Sequence, residues 1–161
     1  MVRWGHAHGR TGSRATARRS HWRSDRHSVR FAADPFRQDS LDSIFALKGR
    51  PQVKPLAILV ASIEQAISLA MFTDRALDLA DAHWPGALTL IVPRLDSAPP
   101  WLGHAERRTI GLRCPNHELA LELLEASGPL AVTSANVSGQ VAAPDPEEAR
   151  ARLGGGGWMV R

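Results

Sequence analysis

The sequence holds one cysteine, two lysines and no long apolar run. The single cysteine, Cys114, excludes an intramolecular disulfide and any zinc site built on several cysteines, and it suits a reducing cytoplasm, the expected location. The longest apolar stretches, Leu56 to Ala61 and Leu88 to Val92, fall far short of the roughly 20 residues of a membrane helix. They suit buried strands, so a soluble protein with no membrane partner is expected. Four histidines near the start (His6, His8, His21, His27) lack cysteines or acids at ligand spacing, so no metal site is expected there. With 161 residues, 43% of them hydrophobic, the chain can bury one core and should form one domain.

What is abundant is arginine, and it is unevenly placed. Residues 1–30 carry eight arginines and one acid, a net of +7, leaving 12 basic and 15 acidic side chains, a net of −3, for residues 31–161. The overall charge of +4 therefore belongs to a leader and says nothing about what the folded part binds. Residues 1–30 have Trp4 and Trp22 as their only large apolar residues and neither a helical nor a strand period, which predicts a disordered basic segment. It lacks the apolar core of a signal peptide.

From Phe31 the punctuation becomes that of an α/β protein. Asp39 or Ser40 is the expected N-cap of a helix through Leu41, Ile44, Phe45 and Leu47, which delivers Lys48 and Arg50 at its end. A strand over Leu56 to Val60 follows Pro55, and Ser62 with Gln65 three residues on predicts a capped helix reaching Ala70. A second helix is expected from Asp74 to His83, then the breaker Trp84-Pro85-Gly86, and strands over Leu88 to Val92 and Thr109 to Arg113. Asn116 can cap a helix through Leu119, Leu123 and Leu124, closed by Gly128-Pro129. A strand over Leu130 to Thr133 runs into Ser134-Ala135-Asn136, and Pro146 can open a last short helix to Leu153. The expected fold is a single-domain α/β structure, 31–153, with a twisted mixed sheet and flanking helices, then a Gly-rich tail, 154–161.

Three groups of residues could carry chemistry. Both lysines fall in Lys48-Gly49-Arg50-Pro51-Gln52-Val53-Lys54. A movable ammonium beside a planar guanidinium fork suits phosphate oxygens. By themselves a Lys and an Arg at a helix end are more commonly complements to its dipole. Ser134-Ala135-Asn136 sits where a buried strand should end, a common place for ligands in α/β sheets; composition alone favours a plain turn. Arg113, at the end of its strand, would point a guanidinium into the same rim and could clamp a carboxylate, or be one surface arginine among many. Cys114 reads as a small buried hydrophobe.

Order and spacing favour the chemical reading. Ile44 to Pro51, Lys54-Pro55-Leu56, Trp84 to Leu90, Thr109 to Pro115 and Ser134-Ala135-Asn136-Val137-Ser138-Gly139 together resemble the signature of the YrdC-type threonylcarbamoyl-AMP synthase family. The resemblance implies a YrdC-like fold around a concave, positively charged cleft. The activity it implies is a nucleotidyltransferase, making threonylcarbamoyl-AMP and pyrophosphate from L-threonine, bicarbonate and ATP with Mg²⁺, for the threonylcarbamoyladenosine of certain tRNAs. It also implies that Lys48, Arg50 and Lys54 face ATP phosphates, that Thr109, Ser134 and Asn136 complete the nucleotide site, and that Arg113 holds the threonine carboxylate. Lys48, Arg50, Ser134 and Asn136 are the catalytic candidates. Downstream threonylcarbamoyl-transfer proteins are the implied partners.

Members of that family carry Pro-Thr-Asp/Glu-Thr-Val-Tyr-Gly-Leu just before the equivalent of Ala32-Ala33-Asp34-Pro35. Here there is no tyrosine anywhere, and Arg26 to Arg30 stand in that place. A composition break at Arg30 is what an upstream frameshift or misassigned start would produce, and the chain stops before the family's final strand. These departures imply an exposed sheet edge, a nucleotide half partly formed and a threonine half without its pocket, with threonine-dependent turnover near background. A second class of function is a non-catalytic YrdC-like module in which the arginine-rich leader holds tRNA or double-stranded RNA. A carbamoyltransferase domain is disfavoured by the missing zinc-finger and acylphosphatase segments.

Overall fold

The computed structural model describes residues 16–18, 29–51, 54–143, 145–153 and 159–160. In chain order they form β1 (Thr16–Arg18), β2 (Arg30–Ala33), α1 (Gln38–Lys48), β3 (Ala57–Leu59), α2 (Ile63–Ile67), α3 (Asp74–His83), β4 (Thr89–Pro93), β5 (Thr109–Arg113), α4 (Glu118–Ser127), β6 (Leu130–Ser134), α5 (Pro146–Leu153) and β7 (Met159–Val160). The strands make one mixed sheet in the order β1-β4-β5-β3-β6-β2-β7. Only β3 and β5 run parallel; the other pairings are antiparallel. The expected single-domain α/β class with flanking helices is what forms. Among the described residues no helix is long and apolar enough to cross a membrane.

Local chemistry explains most element limits. The Ser62 hydroxyl accepts the Gln65 N–H at 3.4 Å, and the Gln65 side-chain oxygen accepts the Ala61 N–H at 2.9 Å, a reciprocal cap at the start of α2. That helix stops at Ile67 rather than Ala70 because the next residues join the sheet's far end: Met71 N–H donates to Pro93 O at 2.8 Å and Leu95 N–H to Leu69 O at 3.0 Å. The expected caps at Asp39 or Ser40 and at Asn116 are displaced to Arg37 and His117, neither of which makes a side-chain cap bond. Asp39 instead sits in the first turn of α1, accepting Ser40 N–H at 3.0 Å and pairing with Arg37 at 2.6 Å. The carboxylate there complements the helix dipole.

Both ends of the sheet differ from expectation. Of the leader, Thr16–Arg18 pair with β4, Val29 is 1% exposed and Arg30 opens β2; residues 1–15 and 19–28 lie outside the described residues. The folded part thus starts before Phe31. β6 is not an exposed edge, because β2 pairs along it from Arg30 opposite Ser134 to Ala33 opposite Ala131. β2 in turn is flanked by Met159 and Val160, inside the stretch expected to be only a Gly-rich tail. Strands of two to four residues are too short to show a period in the sequence, and it is pairing with a neighbour that makes them strands.

Successive residues of a strand face opposite sides. Phe31, Ile58, Leu90, Val92, Ile110, Leu112 and Ala131 point to one side and are buried in one core with Leu41 and Ile44 of α1 and Ala76 and Ala80 of α3. Most of the alternate residues, among them Ala57, Leu59, Ile91, Thr109, Gly111, Arg113 and Ser134, are only half-buried, while Val132 is buried.

Candidate functional site

Cross-strand register orders the open face into three rows. The middle row is small or apolar: Ile91 is opposite Gly111, Ala57 is opposite Val132 and Val132 is opposite Ala32. Ile58 pairs with Leu112, so one step back sets Ala57 level with Gly111. On one side of this floor lie Thr109, opposite Pro93, and Ser134, opposite Arg30. On the other lie Arg113, beside Leu59, and Leu130, opposite Leu59. Ser134 is four residues along β6 from Leu130, about 13 Å at a strand rise near 3.3 Å per residue. The structure therefore puts Thr109, Arg113 and Ser134 on one face, but Arg113 does not share a rim with Ser134 as expected. β5 and β6 are both next to β3, one parallel and one antiparallel, so Arg113 closes β5 at the end where β6 begins.

At the Ser134 end, α1 stops in a tight left-handed turn. Gly49 has φ 56°, its N–H bonds Ala46 O at 3.2 Å, and Arg50 N–H bonds Phe45 O at 3.0 Å. The reversal sends Lys48 inward and Arg50 outward. Lys48 is 1% exposed; its ammonium donates to the carbonyl of Ser134, to the carbonyl of Asn136 at 2.5 Å and to Asn136 Oδ1 at 3.3 Å. The Lys48 carbonyl accepts Ser138 N–H at 2.9 Å. Asn136, 7% exposed, spends its amide on Val137 O at 2.9 Å and Gln140 O at 2.6 Å. Burial, reinforced by the charge of Arg50, brings the Lys48 ammonium down to a pKa of about 8, so at neutral pH it is still charged.

Lys48, Ser134 and Asn136 are thus brought into one cluster, with Lys48 and Asn136 turned to the backbone. Arg50 and Lys54 stand at the same end of the sheet. Arg50 Nε donates to Lys54 O at 2.9 Å and its Nη2 to Pro55 O at 3.1 Å, which fixes the guanidinium plane at the start of β3. Nη1 makes neither of these bonds. Burial lowers the Arg50 pKa, yet a guanidinium keeps its charge. Lys54 is exposed.

At the other end, Arg113 Nε donates to Gly86 O at 2.8 Å, and burial lowers its pKa as well, again without loss of charge. Gly86 is held by its own N–H on Cys114 O at 2.8 Å, and a Cβ there would lie 2.2 Å from His83 O, so glycine alone fits the turn that carries Arg113's partner. Cys114 is 3% exposed and donates its thiol to Ala61 O. Burial pushes that thiol up, against the pull of Arg113, which leaves it unsuited to act as a thiolate.

Sequence reasoning missed the floor. Gly111, Ala57, Val132 and Ala32 contribute no reactive group, and only a glycine inside a predicted strand hinted that something approaches there. A cavity of about 400 Å³ lies on the opposite, covered side of the sheet, between α1 and residues 101–106; Leu41, Leu56, Ile58 and Ala131 line it and none of the candidate residues does. Thr109, Arg113 and Ser134 lie on the open face instead.

The chain belongs to the Sua5/YciO/YrdC family, whose model, described as "Telomere recombination", matches residues 29–159. It is 43% identical over 123 residues to a Mycobacterium leprae protein whose name makes it a candidate threonylcarbamoyl-AMP synthase; the match covers 76% of this chain and 56% of that protein. It is 40% identical over 120 residues to the threonylcarbamoyl-AMP synthase of Pyrococcus abyssi, covering 73% of this chain and 34% of that one. Among solved structures, Pyrococcus abyssi Sua5 complexed with L-threonine superposes with a TM-score of 0.71 at 35% identity, over 78% of this chain and 38% of that chain. Escherichia coli YciO, at 24% identity and a TM-score of 0.69 over 80% of this chain and 68% of that chain, shares the fold. The chain spans about half the length of the mycobacterial relatives it matches.

Proposed function

We propose that the open face binds L-threonine and ATP at its two ends and joins them, with bicarbonate, into threonylcarbamoyl-AMP. The observation that supports this reading is the register: two separate polar ends, Arg113 at one and Thr109 with Ser134 at the other, lie on one face across an uncharged floor. Arg113, oriented by Gly86, takes the threonine carboxylate through its planar guanidinium. Arg50 and Lys54 take the triphosphate, while Thr109 and the Ser134 hydroxyl orient the nucleotide over the small residues of the middle row. The roughly 13 Å between the ends lets the threonine nitrogen, as its carbamate, reach the α-phosphate while both ends stay held. The threonine amine takes the bicarbonate carbon with loss of water, a carbamate oxygen then attacks the α-phosphorus, the bond to the bridging oxygen breaks, and pyrophosphate leaves with the charge that Arg50 and Lys54 neutralise.

Mg²⁺ would arrive on the triphosphate: among the described residues no group of three or more His, Cys, Asp or Glu side chains could hold a metal ion. The product is an activated acyl phosphate ester whose use is transfer to a nucleoside of tRNA by a downstream protein.

Equilibrium binding to single variants tests the division of the face. Arg50→Ala should weaken ATP at least tenfold and leave threonine within twofold, and Arg113→Ala should do the reverse. Both ligands lost through either substitution, or neither affected, would overturn the two-ended site. Pyrophosphate release that requires both threonine and bicarbonate is the readout for the reaction itself; release at background would match the turnover expected without the Pro-Thr-Asp/Glu-Thr-Val-Tyr-Gly segment and would limit the face to binding.

A further inference from the structure

Lys48 is the largest fully buried side chain among the described residues, and within the phosphate-end cluster it and Asn136 are the buried members. An ammonium has three N–H donors and no more. All three have acceptors here: the carbonyl of Ser134, the carbonyl of Asn136 and the side-chain oxygen of Asn136. At 1% exposure, a phosphate could reach this nitrogen only after the cluster was taken apart.

The same residue grips the turn after β6 twice. Its side chain draws in the carbonyls of Ser134 and Asn136, and its own carbonyl takes the N–H of Ser138. Within a planar trans peptide the carbonyl and the following N–H point in opposite directions. Pulling the Ser134 carbonyl inward therefore turns the Ala135 N–H outward, where it bonds Val29 O at 2.9 Å and ties the turn to the start of β2. The Asn136 amide closes the far side on Gln140 O. Segment 134–140 is wound around one buried cation, and that winding begins at Ser134, the residue that register puts on the open face.

We infer that Lys48 is a positioning residue: its ammonium shapes the turn 134–140 from behind and acts on the nucleotide only through that turn, without touching it. This rests on the open face being the nucleotide site. Lysine beside Arg50 in a short basic segment suggests a direct phosphate contact; saturation of its three donors argues for the indirect role.

Lys48→Met tests this, because methionine keeps the apolar stem and removes the three N–H groups. In the ligand-free protein, amide hydrogen exchange of segment 134–143 should speed up at least tenfold while β5 keeps its protection. ATP affinity should fall at least tenfold with the slope of log affinity against log salt unchanged, since no phosphate contact has been lost. An unchanged exchange rate in the variant would overturn the inference, and so would a salt slope reduced by about one with the turn still protected, which marks direct contact. The ligand-free exchange measurement stands whether or not the wild-type chain binds ATP, so failure of the nucleotide reading is seen separately. Should the variant fail to fold, the wild type decides: the ¹⁵N signal of the Lys48 ammonium should stay in place when ATP saturates the protein, and a large shift of it would refute the indirect role.

Discussion

Gly111 and Leu112 are neighbours in β5 and belong to opposite worlds. Leu112 is fully buried in the core with Ile58, Leu90 and Ile110, whereas Gly111 sits at the centre of the open face with Ile91 and Ala57 beside it. The covered face is filled with branched apolar side chains because removing them from water is what stabilises the sheet. The open face is floored with small or apolar residues and bordered by Arg113 at one end and by Thr109 and Ser134 at the other. One face answers to folding, the other to a ligand.

Substitutions that separate the faces sharpen this contrast. The largest effect is expected from Leu112→Ala, which opens a cavity in a well-packed core and should cost about 2–5 kcal/mol in denaturant unfolding. Gly111→Val should spare the fold: a Cβ there meets only Thr89 Cγ2 at 3.5 Å, an ordinary contact, and a branched residue suits a strand. It should nevertheless weaken ATP and threonine binding at least tenfold by raising the floor between them. If Gly111→Val unfolds the protein while Leu112→Ala does not, the assignment of the two faces is reversed.

A third effect concerns the buried cation behind the open face. The Lys48 ammonium titrates at about 8 in the folded chain and at an ordinary 10.5 when solvated. Between those values the unfolded state binds more protons, so this group makes stability rise with pH across that window, by at most about 1.4 kcal/mol per pH unit. Lys48→Met should remove that rise, as the difference between the two proteins' stability curves from pH 7 to pH 10.5 will read. A wild-type curve parallel to the variant's would show that the ammonium is not buried. The smallest effect belongs to a site on neither face: Ser62→Ala removes the cap of α2 and should cost about 1 kcal/mol in thermal unfolding, with both ligands bound as before.

Much of the framework was legible beforehand because it is locally encoded. Asp74–His83, Thr109–Arg113 and Pro146–Leu153 form as their punctuation predicts, and the Ser62–Gln65 cap works as read. The residues Lys48, Arg50, Lys54, Thr109, Arg113, Ser134 and Asn136 became candidates through the order and spacing of motifs that resemble the family signature; residue type alone favoured plainer readings. Their directions were not legible. Whether Lys48 points at a phosphate or at the Ser134 carbonyl depends on the left-handed turn at Gly49 bringing the end of α1 against a strand 86 residues away.

The sequence by itself determined where most of the helices and central strands lie and that they form one α/β domain. These follow from periodicity, capping and residue type, all carried by near neighbours along the chain. The tertiary structure alone decided that β2 covers β6, that Arg113 and Ser134 stand at opposite ends of one open face, and that Lys48 faces inward. Each of those depends on strand direction and register, which are set when residues distant in sequence compete to satisfy one another's hydrogen bonds and bury one shared core.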